Sequence, residues 1–498
     1  MTLHLSIVLW LPLAFGAIGM FAPPKLAGRV ALLGTLVVLA YAVVYLVDYD
    51  SARGGLQYVT DETWISELGI HYKLGVDGLN LLFIALTAIT WVAATLWAST
   101  QDYERPRLFF FHLMLGETAV LGALFAQDLA LFVLFFDLML IPFFFLTGMW
   151  GGRNRIAATT KMVIYTLVGS LLMLTAAVAT GVLAAQNSDG ALSFAFSDLA
   201  ARPLGDGTQN WIFLFFAAAF LVKMPAFPLH GWMPDAYRNM PLPALAVFSA
   251  VLSKVAAYGF LRVCVPLFPH AMSHYQTLLL AIALAGVLYG SAMAFTTTES
   301  RLILGYSSLA QLGFITLGIF ALNPQGAQGA VLQAFNHGLV VAPAFFIVAL
   351  LAARAGGSED IRDMGGIAMR APVLAAMFLI VAFATLAMPG SSNFVGEFLI
   401  LLGVFKTKLV FSIVAFAGVV MASVYALRLY IRTMHNRTGP RVESREMTLR
   451  DGLVLVPLVL AILAISVYPQ FALKRTEKTV TGGGTPASAA QVAGSPAP

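Results

Sequence analysis

The sequence predicts an all-α polytopic membrane protein of about fourteen transmembrane helices. Three observations carry that prediction. Of the 498 residues, 59% are hydrophobic and only 11% are charged, with a mean hydropathy of +0.85; a soluble domain of this length needs far more polar surface to cover its core. Apolar runs of about 20 residues recur from Leu3 to Phe471, each long enough to cross ~30 Å of hydrocarbon as a helix. The runs are continuously apolar and do not alternate, which argues against strands.

In chain order the spans fall at 3–22, 28–48, 77–98, 107–126, 128–149, 160–185, 211–233, 240–266, 275–297, 302–321, 329–353, 372–404, 409–433 and 452–472. Span 1 has no basic segment before it and no clear small-residue cleavage site, so it reads as a retained helix and not a signal peptide. The connections 49–76 and 186–210 are the two long ones on one face. Lys and Arg number about 18 in the odd-to-even connections, including Arg153, Arg155, Lys161 and the run Arg428 to Arg450, against about 9 on the other face. The basic face is the cytoplasmic one, which puts both termini on the non-cytoplasmic side of a bacterial inner membrane.

Spans 7 and 12 are interrupted in a similar way. Span 7 carries Lys223-Met224-Pro225-Ala226-Phe227-Pro228, and span 12 carries Met388-Pro389-Gly390-Ser391-Ser392-Asn393. Proline removes a backbone donor and frees a carbonyl, and in lipid such a break is tolerated only inside protein or beside water. Breaks at Pro225 and Pro228, and at Pro389 and Gly390, lie five spans apart, which points to two inverted five-helix repeats, spans 4–8 and 9–13. The chain then divides into 1–106 (helices 1–3), 107–266 (first repeat), 275–433 (second repeat), 434–475 (cytoplasmic connection and helix 14) and a Gly/Pro/Ala/Ser-rich, disordered tail at 476–498.

The net charge of +5 does not indicate nucleic acid, because the basic residues sit between apolar runs, where they set topology. The single cysteine, Cys264, excludes an internal disulfide and leaves no set of thiolates for a cluster or zinc. Gly151-Gly152 and Gly365-Gly366 read as turns, without the strand–helix setting of a nucleotide loop. The buried histidines are isolated from one another, which disfavours paired haem ligation.

Charges at membrane depth are costly and few. The candidates are Glu117 in span 4, Asp137 in span 5, Lys223 in span 7, Lys254 in span 8 and Glu397 in span 12, with His230 and His337 as further groups able to titrate. A carboxylate and a lysine on separate helices can pair, so that moving one changes whether the other holds its proton. Ser253, Ser307, Ser308 and Gln311 offer polar steps between them. Any one of these charges reads equally as a structural ion pair; five flanking two broken helices read as a proton relay. His230 lies at a helix end, where a structural hydrogen bond competes with a proton role, and His112 reads as a packing or cap residue.

Several motifs are together specific. Gly75-Val76-Asp77-Gly78-Leu79-Asn80, Lys223-Met224-Pro225, Pro228-Leu229-His230-Gly231-Trp232-Met233-Pro234-Asp235, Gly305-Tyr306-Ser307-Ser308, Asn336-His337-Gly338 and Met388-Pro389-Gly390 resemble the antiporter-like membrane subunits of respiratory complex I, NADH–quinone oxidoreductase. The resemblance runs over nearly the whole chain. Within that family it points to the M branch, because Glu397 stands where the L and N branches usually carry lysine and no long lateral helix follows span 14.

The resemblance implies proton translocation with no redox centre in this chain. Flavin and iron–sulfur clusters belong to partner subunits, the L and N subunits are neighbours in the membrane, and the remaining contacts are lipids and protons. It implies that Asp137 and Lys223 form the carboxylate–lysine pair of the first half-channel. Lys254 links to the second half, His337 is a relay and Glu397 is the terminal carrier; Glu117 also falls at a family glutamate. His230, Ser307 and Gln311 are possible relay positions. The chain departs from the pattern at Asp137, usually glutamate, at Gln311, usually histidine, and at Tyr237-Arg238-Asn239, where the family carries His and Glu. Asp137 is one methylene shorter, so its partner must sit closer or water must intervene. A subunit of a multi-subunit Na⁺/H⁺ antiporter, a membrane subunit of an energy-converting hydrogenase and a non-conducting scaffold are the competing readings.

Overall fold

The computed structural model describes residues 4–187, 190–443 and 445–482. Among these, eleven helices are long and apolar enough to cross a membrane, and the shorter apolar helices Leu5–Phe21 and Pro372–Thr385 lie over spans 1 and 12. Helix covers every predicted span. Spans 8 and 10 are fully buried over their most apolar window and span 11 is 94% buried, whereas spans 2, 13 and 14 are 33% buried. The helices that carry Lys254, Gln311 and His337 therefore form the axis of the bundle, and the others wrap it.

Small residues let these helices approach. A Cβ at Gly338 would stand 2.5 Å from the Ala250 carbonyl, where spans 8 and 11 meet, and one at Gly403 would stand 2.5 Å from the Gly326 amide, where spans 11 and 12 meet. Without a hydrophobic driving force between helices in lipid, such backbone proximity is a main source of packing energy.

Two spans, 5 and 8, depart from the continuous helices expected, and span 12 is broken as expected. Span 5 is split into Leu129–Leu138 and Leu140–Trp150, because Pro142 lacks the N–H that would return to the Leu138 carbonyl. Span 8 runs from Leu242 to Leu267 through two π-helical turns, Phe248–Leu252 and Phe260–Cys264. Such turns widen the helix and free backbone carbonyls. Span 12 consists of Pro372–Thr385 and Ser392–Thr407, and the gap between them begins two residues before the predicted motif.

The connection 49–76 folds as an antiparallel hairpin of β1, Gln57–Ile65, and β2, Ile70–Val76. Asp61 pairs with Lys73 at 2.9 Å and with His71 at 2.8 Å across it. Burial pushes the Asp61 carboxyl up, but the hydrogen bonds from Lys73 and His71 outweigh it and hold the group below its usual range. Asp128 fixes the hairpin to the bundle: it accepts from the His71 amide at 3.1 Å while capping span 5 through Ala130 and Leu131.

The motif at residues 75–80 is a helix cap and a clamp. Asp77 accepts from the Leu79 and Asn80 amides, and Asn80 Nδ2 donates to the carbonyls of Gly75 and Leu124. Arg262, at the far end of span 8, donates to both Asp77 carboxylate oxygens at 2.7 Å and to Tyr258 Oη at 2.9 Å. At the opposite, arginine-rich end, Arg238 pairs with Glu299 at 2.8 Å, Arg301 with Glu359 at 2.6 Å and Lys161 with Asp235 at 2.8 Å.

The expectation of disorder from residue 476 onward is corrected for 476–482, which belong to the helix Gln470–Gly482; residues 483–498 lie outside the described residues. This helix lies across the hairpin end. Arg475 Nε donates to the Leu46 carbonyl at 2.9 Å, Thr479 Oγ1 accepts from the Gly78 amide at 3.1 Å, and Lys478 bonds the Ala52 carbonyl. Its buried face is spaced by four, through Ala472, Thr476 and Val480, with the Thr476 hydroxyl turned back onto the helix carbonyls.

Removing one partner of a buried ion pair leaves the other charge uncompensated, which costs ~3–5 kcal/mol. Arg262→Met is expected to destabilise the protein by that order, read as a lower thermal midpoint of the assembly in detergent. The double variant Asp77→Asn/Arg262→Met should recover part of the loss.

Candidate functional site

The buried charges sit where helices break or widen. Lys223 is the last residue of the helix Asp206–Lys223. The chain then runs irregularly through the cis Phe227–Pro228 bond to the short helix Met233–Asn239. The carbonyls freed by this break find donors: Phe220 from the Met224 amide, Leu221 from the Ala226 amide and Val222 from Trp232 Nε1 at 3.0 Å. Trp232, one of the motif residues, is thus a strut for the broken helix.

The expected Asp137–Lys223 contact does not close. Lys223 Nζ donates to the Phe136 carbonyl at 2.5 Å and lies 4.2 Å from the Phe136 ring centroid. Asp137 accepts from Ser170 Oγ of span 6, also at 2.5 Å. The charges remain close enough to interact without touching. Two features of span 5 account for this. The aspartate is one methylene short, and at the end of the helix the Met139 amide goes to the Phe135 and Asp137 carbonyls, leaving the Phe136 carbonyl for Lys223.

Lys254 lies at the centre, fully buried between the two π-helical turns of span 8. Its Nζ donates to the Ser249 carbonyl at 2.5 Å and to Ser253 Oγ at 3.2 Å. Ser249 Oγ is 3.4 Å from Ser308 Oγ of span 10. His337 of span 11 is buried next to the close crossing at Gly338, near enough to Lys254 for their charges to interact, and its Nδ1 has no partner among the described residues.

The third cluster surrounds Glu397. Its Oε1 accepts from Gln311 Nε2 at 2.8 Å and from Gln333 Nε2 at 3.3 Å; the Gln333 Nε2 also donates to Gln311 Oε1 at 2.7 Å. Ser307 Oγ donates to Tyr425 Oη at 3.1 Å. The neighbouring serines of span 10 therefore face different ways, Ser308 towards the Lys254 cluster and Ser307 towards span 13. Glu397 Oε2 and side-chain atoms of Ser391, Ser392, Asn393 and Asn336 have no partner among the described residues, so unpartnered polar atoms of spans 11 and 12 gather at the break in span 12.

Met388-Pro389-Gly390-Ser391 is a type II turn, with the Ser391 amide donating to the Met388 carbonyl at 2.8 Å and Gly390 at φ +91°. Ala387, just before it, is held at φ +51°.

Two predicted residues join no cluster. Glu117 is fully buried and neither oxygen has a partner among the described residues. His230 stacks between Phe227 and Tyr289, with ring centroids 5.8 Å and 4.9 Å away, and its Nδ1 is unpartnered among the described residues. His112 bonds the Leu108 carbonyl at 2.7 Å, in keeping with a packing role. Sequence reasoning missed Ser170, Ser249, Gln333 and Tyr425. Gln333 had a legible signal: it precedes His337 by four residues, one turn away on the same helix face.

The arrangement is three clusters, each setting an ionisable group among hydroxyl, side-chain amide or backbone carbonyl partners. Groups of this kind can hold and release protons.

A left-handed residue costs ~1–2 kcal/mol unless it is glycine. Gly390→Ala should therefore lower the thermal midpoint of the protein and Ala387→Gly should raise it, as differential scanning of the purified assembly would report.

The membrane family described as NADH:quinone oxidoreductase/Mrp antiporter, TM, matches residues 126–423. The NADH-quinone oxidoreductase subunit M of Rhodobacter capsulatus is 37% identical over 483 residues, 93% of each chain. A chain of respiratory complex I from Thermus thermophilus superimposes with a TM-score of 0.87 at 31% identity, covering 96% of this chain and all of that one. A chain of the Mrp complex from Dietzia superimposes with a TM-score of 0.84 at 18% identity over 96% of this chain and 52% of that one, a likeness of fold.

Proposed function

We propose a proton-translocating role for this chain, which belongs to the NADH:quinone oxidoreductase/Mrp antiporter membrane family: it is the antiporter-like M-type subunit of an NADH–quinone oxidoreductase. The observation that carries this reading is the set of buried ionisable groups, Lys223 and Glu397 on the two broken helices and Lys254 and His337 on the deeply buried spans 8 and 11. Buried charges at such breaks are costly and mark transport sites.

In this reading Asp137 and Lys223 set the first half-channel. Their separation makes the Phe136 carbonyl the resting partner of Lys223 and Ser170 that of Asp137, so Lys223 can exchange the carbonyl for the carboxylate. Lys254 and His337 pass the proton on through the serines of spans 8 and 10, and Glu397 is the terminal carrier. Ser307 and Gln311 are relay partners. His230, at the break in span 7, is a further relay position, and Glu117, buried away from the three clusters, is a further proton-transfer carboxyl. The helices form about fourteen crossings with two inverted repeats, and both termini face the non-cytoplasmic side. Flavin and iron–sulfur clusters reside in partner subunits, and L- and N-type subunits flank this one. Quinone reduction there drives proton transfer here by shifting charge along the membrane arm.

The family description also covers Mrp antiporters, whose fold this chain shares. That reading needs no redox partner, and it requires sodium to drive exchange.

Isolation of the tagged chain in mild detergent is expected to bring down flavin and iron–sulfur subunits with NADH-dependent quinone reductase activity. An assembly without redox subunits that exchanges protons against a sodium gradient would favour the antiporter. In the assembled complex, Lys223→Ala and Glu397→Gln should slow proton transfer through this subunit roughly 100-fold or more. Unchanged proton-to-electron ratios in both would sink the relay.

A further inference from the structure

Spans 2, 3 and 14 do not close over span 11. Between them lies a crevice of about 390 Å³, floored by Phe335 and Leu339 of span 11 and walled by Leu39, Leu46, Ile89 and Ala464 among others. From Leu46, near the hairpin end of span 2, to Leu39 the wall runs two turns, ~10 Å into the membrane. One leaflet holds ~15 Å of hydrocarbon, so the crevice stays within the leaflet on the hairpin side. Apart from the Tyr468 hydroxyl at its rim, every lining side chain is apolar, which leaves water no set of partners inside.

The outer end of the crevice carries charge. Phe471 lines it there, and the Arg475 guanidinium lies 3.8 Å from the Phe471 ring centroid. Phe471, Lys474, Arg475 and Lys478 recur at i, i+3, i+4 and i+7, so one stripe of the helix Gln470–Gly482 holds an aromatic ring and three cations. Glu477 falls off that stripe. Arg475 spends Nε on the Leu46 carbonyl and Nη1 on the Phe471 carbonyl at 3.0 Å; its Nη2 has no acceptor among the described residues. Lys474 is exposed, with no carboxylate partner among them. The acids at the end of span 2 are engaged elsewhere: Asp48 accepts from Tyr58 Oη at 2.7 Å, and Asp50 from the Ala52 and Arg53 amides.

The shape and the charge together select the occupant. A helix with its side chains is ~10–12 Å across, so two turns of one need about twice the volume present. An acyl chain is a single methylene wide. Lipid tails are as apolar as the crevice, so a tail gains no hydrophobic driving force by entering. What holds one lipid there against exchange is its headgroup, and cations at the membrane surface favour an anionic one.

We propose that the crevice is a site for one anionic phospholipid, with an acyl chain against Phe335 and Leu339 and its phosphate on Arg475 and Lys474. The lipid tail then completes the cover of span 11, on the helix that carries His337. The helix Gln470–Gly482 acquires a second task beyond bracing spans 2 and 3, since it supplies the headgroup site.

The test uses the chain in its native assembly, in nanodiscs of phosphatidylglycerol and phosphatidylcholine in equal parts. A trace of either lipid, bearing a diazirine midway along one acyl chain, is photolysed, and labelled peptides are identified by mass. Phosphatidylglycerol should label residues 39–46 and 461–468 ~5-fold or more above phosphatidylcholine, since each surface cation is worth about that factor. Lys474→Gln/Arg475→Gln should bring the phosphatidylglycerol label down to the phosphatidylcholine level, and Lys474→Arg should leave it unchanged. Ala464→Phe, which fills the crevice and spares the cations, should remove the label. Equal labelling by the two lipids in the unaltered chain would overturn the proposal, whether or not the variants assemble. So would label that survives Ala464→Phe, since the tail then lies outside the crevice. A crevice that takes no label from either lipid is covered by protein in the assembly, which overturns it as well.

Discussion

Every polar backbone group in a bilayer must find a partner within the protein, and this constraint governs the layout around the functional residues. A helix broken at membrane depth frees carbonyls, and each break here is surrounded by the donors that meet them. Trp232 turns its indole to Val222, Lys223 turns its ammonium to Phe136, and Lys254 turns to the Ser249 carbonyl beside a π-helical turn. Both lysines are therefore held by backbone that irregular helix has left open. A regular span would offer them no such acceptor, and an unpaired ammonium in hydrocarbon would be far more costly.

The same constraint explains why the ends of the bundle are tied so firmly. Broken helices lack the continuity that holds an ordinary span in place, so their depth must be fixed from outside. On the hairpin end, Asp77 caps span 3 and grips Arg262 of span 8, while Asp128 caps span 5 and holds the hairpin. The helix Gln470–Gly482 lies across that end, on spans 2 and 3. On the other end, Arg238–Glu299 and Arg301–Glu359 join the start of span 10 to the loops on either side. With both ends fixed, small side-chain movements in the middle are not lost to movements of whole helices.

How much of this was legible follows from which signals are local. Spans were legible because hydropathy over about 20 residues is a property of the run itself. The breaks at Pro225 and at Pro389-Gly390 were legible because proline and glycine impose their backbone wherever they stand. Pro142 carried the same signal, and a continuous span 5 overlooked it. The separation of Asp137 from Lys223 was not legible, since it depends on where that break leaves the Phe136 carbonyl. π-helical turns have no composition of their own, and the hairpin at 57–76 mixes polar and apolar residues without clean alternation. The helix over 470–482 was hidden by the tail's Gly/Pro/Ala/Ser bias, although its apolar positions recur every four residues.

Gln311 and Gln333 illustrate what a single sequence does and does not give. Read one at a time, a glutamine at position 311 is a loss, since it cannot titrate where a histidine can. In place, it is half of a pair whose partner sits one turn before His337 and whose space is opened by Gly396. There it offers Glu397 an N–H, as a neutral imidazole could, and its own oxygen accepts from Gln333, which fixes the direction of that donor. The substitution therefore trades a neighbour that can carry a proton for one that only orders the carboxyl beside it.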